Sequence, residues 1–95
     1  KGALEGLGRS LAAEWAPKVR VNVIAPSITD TPLANRFLNN EAKQEKAALR
    51  HPLKRIGTTR DVAQLAAFLL SEKSSWMTGQ VLGLDGGMSA INVQG

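Results

Sequence analysis

Ninety-five residues, 43% of them hydrophobic and 21% charged, describe a single soluble globular segment with no room for a second domain. The absence of cysteine excludes a disulfide framework and a thiolate metal site and fits a reducing compartment, so a cytoplasmic location is expected. No apolar run approaches the roughly 20 residues that span a bilayer. The net charge of +4 is scattered along the chain, and even the basic 50–60 stretch has no interleaved tryptophan or tyrosine, so neither a membrane nor a nucleic-acid partner is expected.

Leu4, Leu7, Leu11 and Trp15 recur at helical spacing and predict an amphipathic first helix with this stripe packed in the core. Pro17 disfavours helical geometry at Ala16 and should end it. Val19, Val21 and Val23, followed by Ile24 and Ala25, predict a short strand that Pro26 closes. Residues 27–32 are small, polar and proline-punctuated, which predicts a loop.

Residues 33–38 predict one or two helical turns. Asn40 is placed to cap a further helix that His51-Pro52 stops. Gly57 reads as a turn residue. Thr58 and Asp61 have capping-box spacing for a helix burying Val62, Leu65, Ala66, Leu69 and Leu70. Residues 71–79 are turn-rich and include Trp76, which is expected at packing or an interface rather than as a stacking platform. Residues 80–85 predict a last strand, halted by Gly86-Gly87.

Helix, strand, helices, strand implies an α/β fold in which the two strands are parallel neighbours. Ligands of open α/β sheets bind beyond the carboxyl ends of the strands. The loop at 27–32 leaves a strand at such an end, and its small residues would let a ligand approach the backbone closely. An ordinary proline-bounded loop has the same composition. His51 stands alone beside a proline, with no second imidazole or carboxylate at metal spacing, and is expected at a solvent-facing helix end rather than as a ligand.

Four segments in register resemble the short-chain dehydrogenase/reductase family. Residues 19–33, from Val19-Arg20-Val21-Asn22 through Pro26 to Thr31-Pro32-Leu33, are similar to the family's "V-R-V-N-x-I-x-P-G-x-I-x-T-P". Residues 78–87, Thr78-Gly79-Gln80 through Asp85-Gly86-Gly87, resemble its last strand, "T-G-Q-x-x-x-V-D-G-G". Residues 55–63 are similar to its "R-x-G-x-P-E-D-I-A" segment, and Lys1-Gly2-Ala3-Leu4 matches the K-x-A-L that comes after the tyrosine in "Y-x-x-x-K-x-A-L". The resemblance spans essentially the whole chain.

It implies the C-terminal part of a Rossmann-like, doubly wound parallel sheet. The implied parent uses NAD or NADP to interconvert a small-molecule alcohol and a carbonyl compound, and assembles as a homo-oligomer, a dimer or tetramer. Lys1 matches the motif lysine, which holds the nicotinamide ribose and lowers the pKa of the catalytic tyrosine, as a cation beside a phenol should. Pro26, Ser27, Thr29 and Thr31 match the loop that receives the cofactor's carboxamide and nearby phosphate, with Thr29 acting through its backbone. Ser27 stands where glycine is usual, which requires a negative φ there. Residues 33–52 would be the substrate lid, with Leu33, Phe37 and Leu38 as an apolar wall. Leu7, Leu11, Trp15 and residues 81–84 would lie near subunit interfaces.

These residues include no tyrosine, and Gly2, Gly6 and Gly8 have the wrong spacing for a dinucleotide fingerprint. The isolated 95 residues are therefore expected to be a catalytically inactive fragment. A non-catalytic binding or scaffold module is the alternative.

Overall fold

In a computed structural model of the chain, residues 2–92 are described. Helix α1 (Gly2–Trp15) ends where expected. The amide of Ala16 still reaches Ala12 O at 3.1 Å, but beyond Pro17 the amides of Lys18 and Val19 both turn back to Trp15 O, at 2.9 and 3.0 Å. Strand β1 (Val23–Pro26) follows. It starts later than the valine alternation suggests because residues 21 and 22 are held in part by side chains rather than a regular ladder. Val21 N donates to Thr78 Oγ1 at 3.1 Å, and the Asn22 amide bridges Met77 O at 3.2 Å and Gln80 N at 3.1 Å. Pro26 is the last residue of the strand rather than the first beyond it. It need not donate, since the next ladder bond comes from Ser27 N to Leu84 O at 3.1 Å.

The stretch read as a loop contains a two-residue strand, β2 (Thr29–Asp30), and Gly57, read as a turn, pairs with it in β3 (Gly57–Thr58). Between them lie α2 (Pro32–Phe37) and α3 (Glu41–Leu49). Thr31 caps α2 by accepting from Ala34 N at 3.1 Å, with Pro32 opening the helix, where a missing N–H costs nothing. Asn40 caps α3 by accepting from Lys43 N at 2.8 Å. Helix α4 (Thr59–Leu70) carries the expected capping box: Thr58 Oγ1 accepts from Asp61 N at 3.1 Å, and Asp61 Oδ2 accepts from Thr58 N at 2.7 Å. A short 3-10 turn (Glu72–Ser74) leads to the last strand, β4 (Val81–Leu84).

β1 and β4 are parallel, in register Val23↔Val81 through Pro26↔Leu84. β2 and β3 form a second parallel pair, Thr29↔Gly57 and Asp30↔Thr58. This is the expected α/β arrangement, with the carboxyl ends of β1 and β4 leading into residues 27–31 and 85–87.

The core is scant. Among the described residues, the buried apolar side chains are Ala12 and Ala47, while Leu4, Leu7, Trp15, Phe37 and Leu70 are all exposed. The leucine stripe of α1 is therefore not its buried face. Gly8 and Ala12 are, because Gly8 lets the helix lie directly against Val23 of β1. Leu70 likewise departs from expectation, at 86% exposed, while the other apolar positions expected to be buried on α4 are half-buried. The radius of gyration is 15.5 Å, against about 12 Å for a compact domain of this length. These elements do not close a hydrophobic interior among themselves.

Candidate functional site

A cavity of about 90 Å³ opens at the carboxyl ends of the strands. Its walls come from the residues just after β1 (Ser27 to Thr29), the residues just after β4 (Asp85 and Gly86), and the 51–62 segment. Complete ligand pockets run to roughly 300–1,000 Å³, so this cavity is too small to enclose a cofactor by itself.

Of the residues singled out from the sequence, Ser27 and Thr29 line this cavity. The φ of Ser27 is not positive, so a side chain is accommodated where the family usually has glycine. Thr29 Oγ1 donates back to Ser27 O at 3.2 Å, which folds the loop on itself, and Ile28 O accepts from Gly57 N at 2.9 Å. Gly57 sits close under the loop: a Cβ there would lie 3.4 Å from Thr29 Oγ1. Pro26 is exposed at the strand end, and Thr31 is half-buried with its hydroxyl engaged in capping α2. Neither belongs to the cavity wall. Leu33 and Phe37 are 64% and 71% exposed on α2, Leu38 is half-buried, and all three lie outside the cavity lining. Lys1 lies outside the described residues.

The residue that the sequence reading misplaced is His51. Instead of facing solvent at a helix end, it is 1% exposed. Its Nδ1 lies 2.7 Å from Ala47 O and its Nε2 lies 2.9 Å from Ser27 Oγ. A carbonyl only accepts, so Nδ1 carries the proton in the first bond. In the neutral ring Nε2 is then the acceptor, and the Ser27 hydroxyl donates to it. The His51 side chain also lies against Gly86 just beyond β4, where an added Cβ would be 3.5 Å from His51 Cβ and 3.8 Å from ring atom Cδ2, and Leu53 N donates to Gly86 O at 3.1 Å. A local sequence pattern could not reveal this, because Ser27 lies 24 positions away.

Arg55, Thr58 and Asp61 form the polar side of the cavity. The Arg55 guanidinium forks onto both oxygens of Asp61, at 2.7 and 3.1 Å. The bond from Arg55, then those from the backbone and hydroxyl of Thr58, hold the Asp61 carboxyl well below its ordinary range. Asp61 is thus a fixed anion whose acceptor capacity is spent on its own helix start and on Arg55. Among the described residues no group of three or more His, Cys, Asp or Glu side chains is placed to hold a metal. No described helix is long and apolar enough to cross a membrane.

Residues 1–89 match the family model described as enoyl-(acyl carrier protein) reductase. A tropinone reductase homolog of Arabidopsis thaliana is 44% identical over 90 residues, covering 94% of this chain and 35% of that protein. A Xanthobacter autotrophicus protein named inactive 2-(S)-hydroxypropyl-CoM dehydrogenase 2 is 42% identical, covering 96% and 42%. Among solved structures, ligand-free aldohexose dehydrogenase of Thermoplasma acidophilum superposes with a TM-score of 0.87 at 34% identity, covering 99% of this chain and 42% of that one. A 4-hydroxyisoleucine dehydrogenase complexed with NADH has the same TM-score at 28% identity, covering 96% and 38%. The chain spans about a third of the length of the first Arabidopsis relatives it matches. With its Rossmann-like parallel strands shared by such structures, and its sequence matched from the first residue to the 89th, the chain belongs to the short-chain dehydrogenase/reductase family.

Proposed function

We propose that this chain is the C-terminal part of an NAD(P)-dependent oxidoreductase that interconverts an alcohol and a carbonyl compound, and that it supplies the wall receiving the nicotinamide. The observation carrying this reading is the cavity at the shared carboxyl end of β1 and β4, walled by Ser27 and Thr29. The donor set suits an uncharged carboxamide. The loop offers hydroxyl and peptide groups, and the cavity's one described ion pair is closed on itself.

Pro26, Ser27, Thr29 and Thr31 would hold the nicotinamide end of the nucleotide, with Thr29 acting through its backbone. Lys1 would orient the ribose hydroxyls and, as a neighbouring cation, favour the phenolate of a tyrosine four positions upstream in the parent. The nucleotide, when bound, supplies or accepts the hydride. Leu33, Phe37 and Leu38 would present apolar surface to a small substrate as part of a lid over 33–52. The exposure of Leu33 and Phe37 supports this, since the described residues leave most of their surface uncovered. The exposed leucines of α1 support an interface with other elements or a second subunit of a homo-oligomer.

Without a tyrosine, these residues hold no general acid for the substrate oxygen, so the 95-residue polypeptide alone should be inactive. The test is carbonyl-dependent oxidation of NADH and NADPH by the full-length parent beside the purified 95-residue polypeptide. Activity in the parent alone is expected. Activity in the polypeptide, or none in the parent with a broad panel of aldehydes and ketones, would overturn the reading. A second reading, a non-catalytic member of the family, draws on the relative whose name calls it inactive. It predicts nucleotide binding by the parent without turnover.

A further inference from the structure

We infer that Ser27 and His51 are a coupled pair of positioning residues, through which the end of the lid sets the conformation of the loop that receives the nicotinamide. This rests on the functional reading above and adds residues and a mode of action to it. Three observations carry it. The Ser27 hydroxyl and His51 Nε2 are 2.9 Å apart in a part-buried bond, and His51 is 1% exposed, so its side of the bond is shielded from water. The ring is fixed from behind by its 2.7 Å bond to Ala47 O on α3, and the following residues are stitched to the end of β4 through Leu53 N and Gly86 O. Ser27 in turn begins the loop that Thr29 Oγ1 folds back upon itself. The imidazole therefore ties the end of β1 to α3, and the residues after it tie the same point to the end of β4.

Glycine at position 27 would leave the imidazole without this partner and the loop without this tie. A loop held in its binding conformation loses less freedom when the nucleotide docks, so the pair acts on nucleotide affinity rather than on the reacting atoms. Neither side chain is required to touch substrate.

The experiment is a nucleotide titration, with saturated turnover, of the full-length parent carrying Ser27→Ala, Ser27→Thr, His51→Phe, or Ser27→Ala with His51→Phe. Ser27→Ala and His51→Phe should each weaken NADH or NADPH binding about fivefold, and in His51→Phe saturated turnover should stay within about twofold. The double substitution should cost no more than either single one, because both remove the same bond. Ser27→Thr, which keeps the hydroxyl, should restore affinity. Unchanged affinity in folded Ser27→Ala protein, independent effects that multiply in the double variant, or failure of Ser27→Thr to restore binding would each overturn the pairing. Should His51→Phe not fold, the contrast of Ser27→Ala with Ser27→Thr still decides. Nucleotide bound normally by the unsubstituted parent but unaffected by the variants sinks this inference alone. No binding by the unsubstituted parent sinks the functional reading and this inference with it.

Discussion

A Cβ placed on Gly8 would lie 2.5 Å from Cγ2 of Val23, inside the distance that any real pair of carbons keeps. Helix α1 and strand β1 are therefore in contact through the absence of a side chain, and the inward face of the helix is set by that glycine. Val23 is β-branched, with a stiff χ1, and cannot swing aside cheaply.

Gly8→Ala should destabilise the protein by about 1–3 kcal/mol from overpacking, less the roughly 1 kcal/mol that alanine gains over glycine in a helix. Gly6→Ala on the same helix meets nothing within 4 Å among the described residues and should stabilise by up to about 1 kcal/mol. Urea unfolding of the two variants should move the midpoint in opposite directions. A shift of the same sign in both would contradict the close approach.

Arg20 carries the C-terminal end of α4. Its guanidinium donates to Leu69 O at 3.0 Å, Ser71 O at 3.2 Å, Ser74 O at 2.8 Å and Met77 O at 3.2 Å, and also to Ser74 Oγ. Arg20→Ala would leave these part-buried carbonyls without their donor, at a cost on the order of 2–4 kcal/mol. Arg20→Lys should recover less than half of that, since an ammonium cannot reproduce the planar fork. Chemical denaturation of the three proteins checks the order.

The Asp61 carboxyl is shifted down, first by Arg55 and then by Thr58, so its contribution to stability is fully present above the ordinary carboxylate value of 3.8. It is lost as the pH falls below that toward the lower folded value. Asp61→Asn should lower stability at neutral pH and flatten this part of the acid profile. The check is melting temperature against pH for both proteins: parallel curves below pH 4 would exclude the Arg55–Asp61 linkage.

Lys54 adopts φ +62°, the left-handed region that disfavours a Cβ. Lys54→Gly should stabilise by about 0.5 kcal/mol, the relief of left-handed strain less glycine's greater freedom when unfolded. A loss of stability in thermal melts would mean that the lysine side chain makes a contact outweighing the strain.

The start of α4 was legible in the sequence because the Thr58–Asp61 box is a local pattern whose partners are three residues apart. The parallel pairing of β1 and β4 was legible because valine-rich strands separated by helices leave few other topologies. The inward face of α1 was not legible, since the leucine stripe and the Gly8–Ala12 edge are both regular and only contact with Val23 selects between them. Nor was the burial of His51, which depends on Ser27 and Gly86 meeting it in space. β2 and β3, at two residues each, are too short to show any period. At the candidate site, the family motif pointed to Ser27 and Thr29 in the cavity wall, while the 51–61 side of that wall had no motif tied to ligand chemistry.

The most direct test is hydrogen exchange of the full-length parent with and without saturating NADH or NADPH. Slowed exchange at amides 27–31, with little change along the outer face of α1, is the predicted result. Bound nucleotide that leaves amides 27–31 unprotected, or no binding at all, would contradict the account.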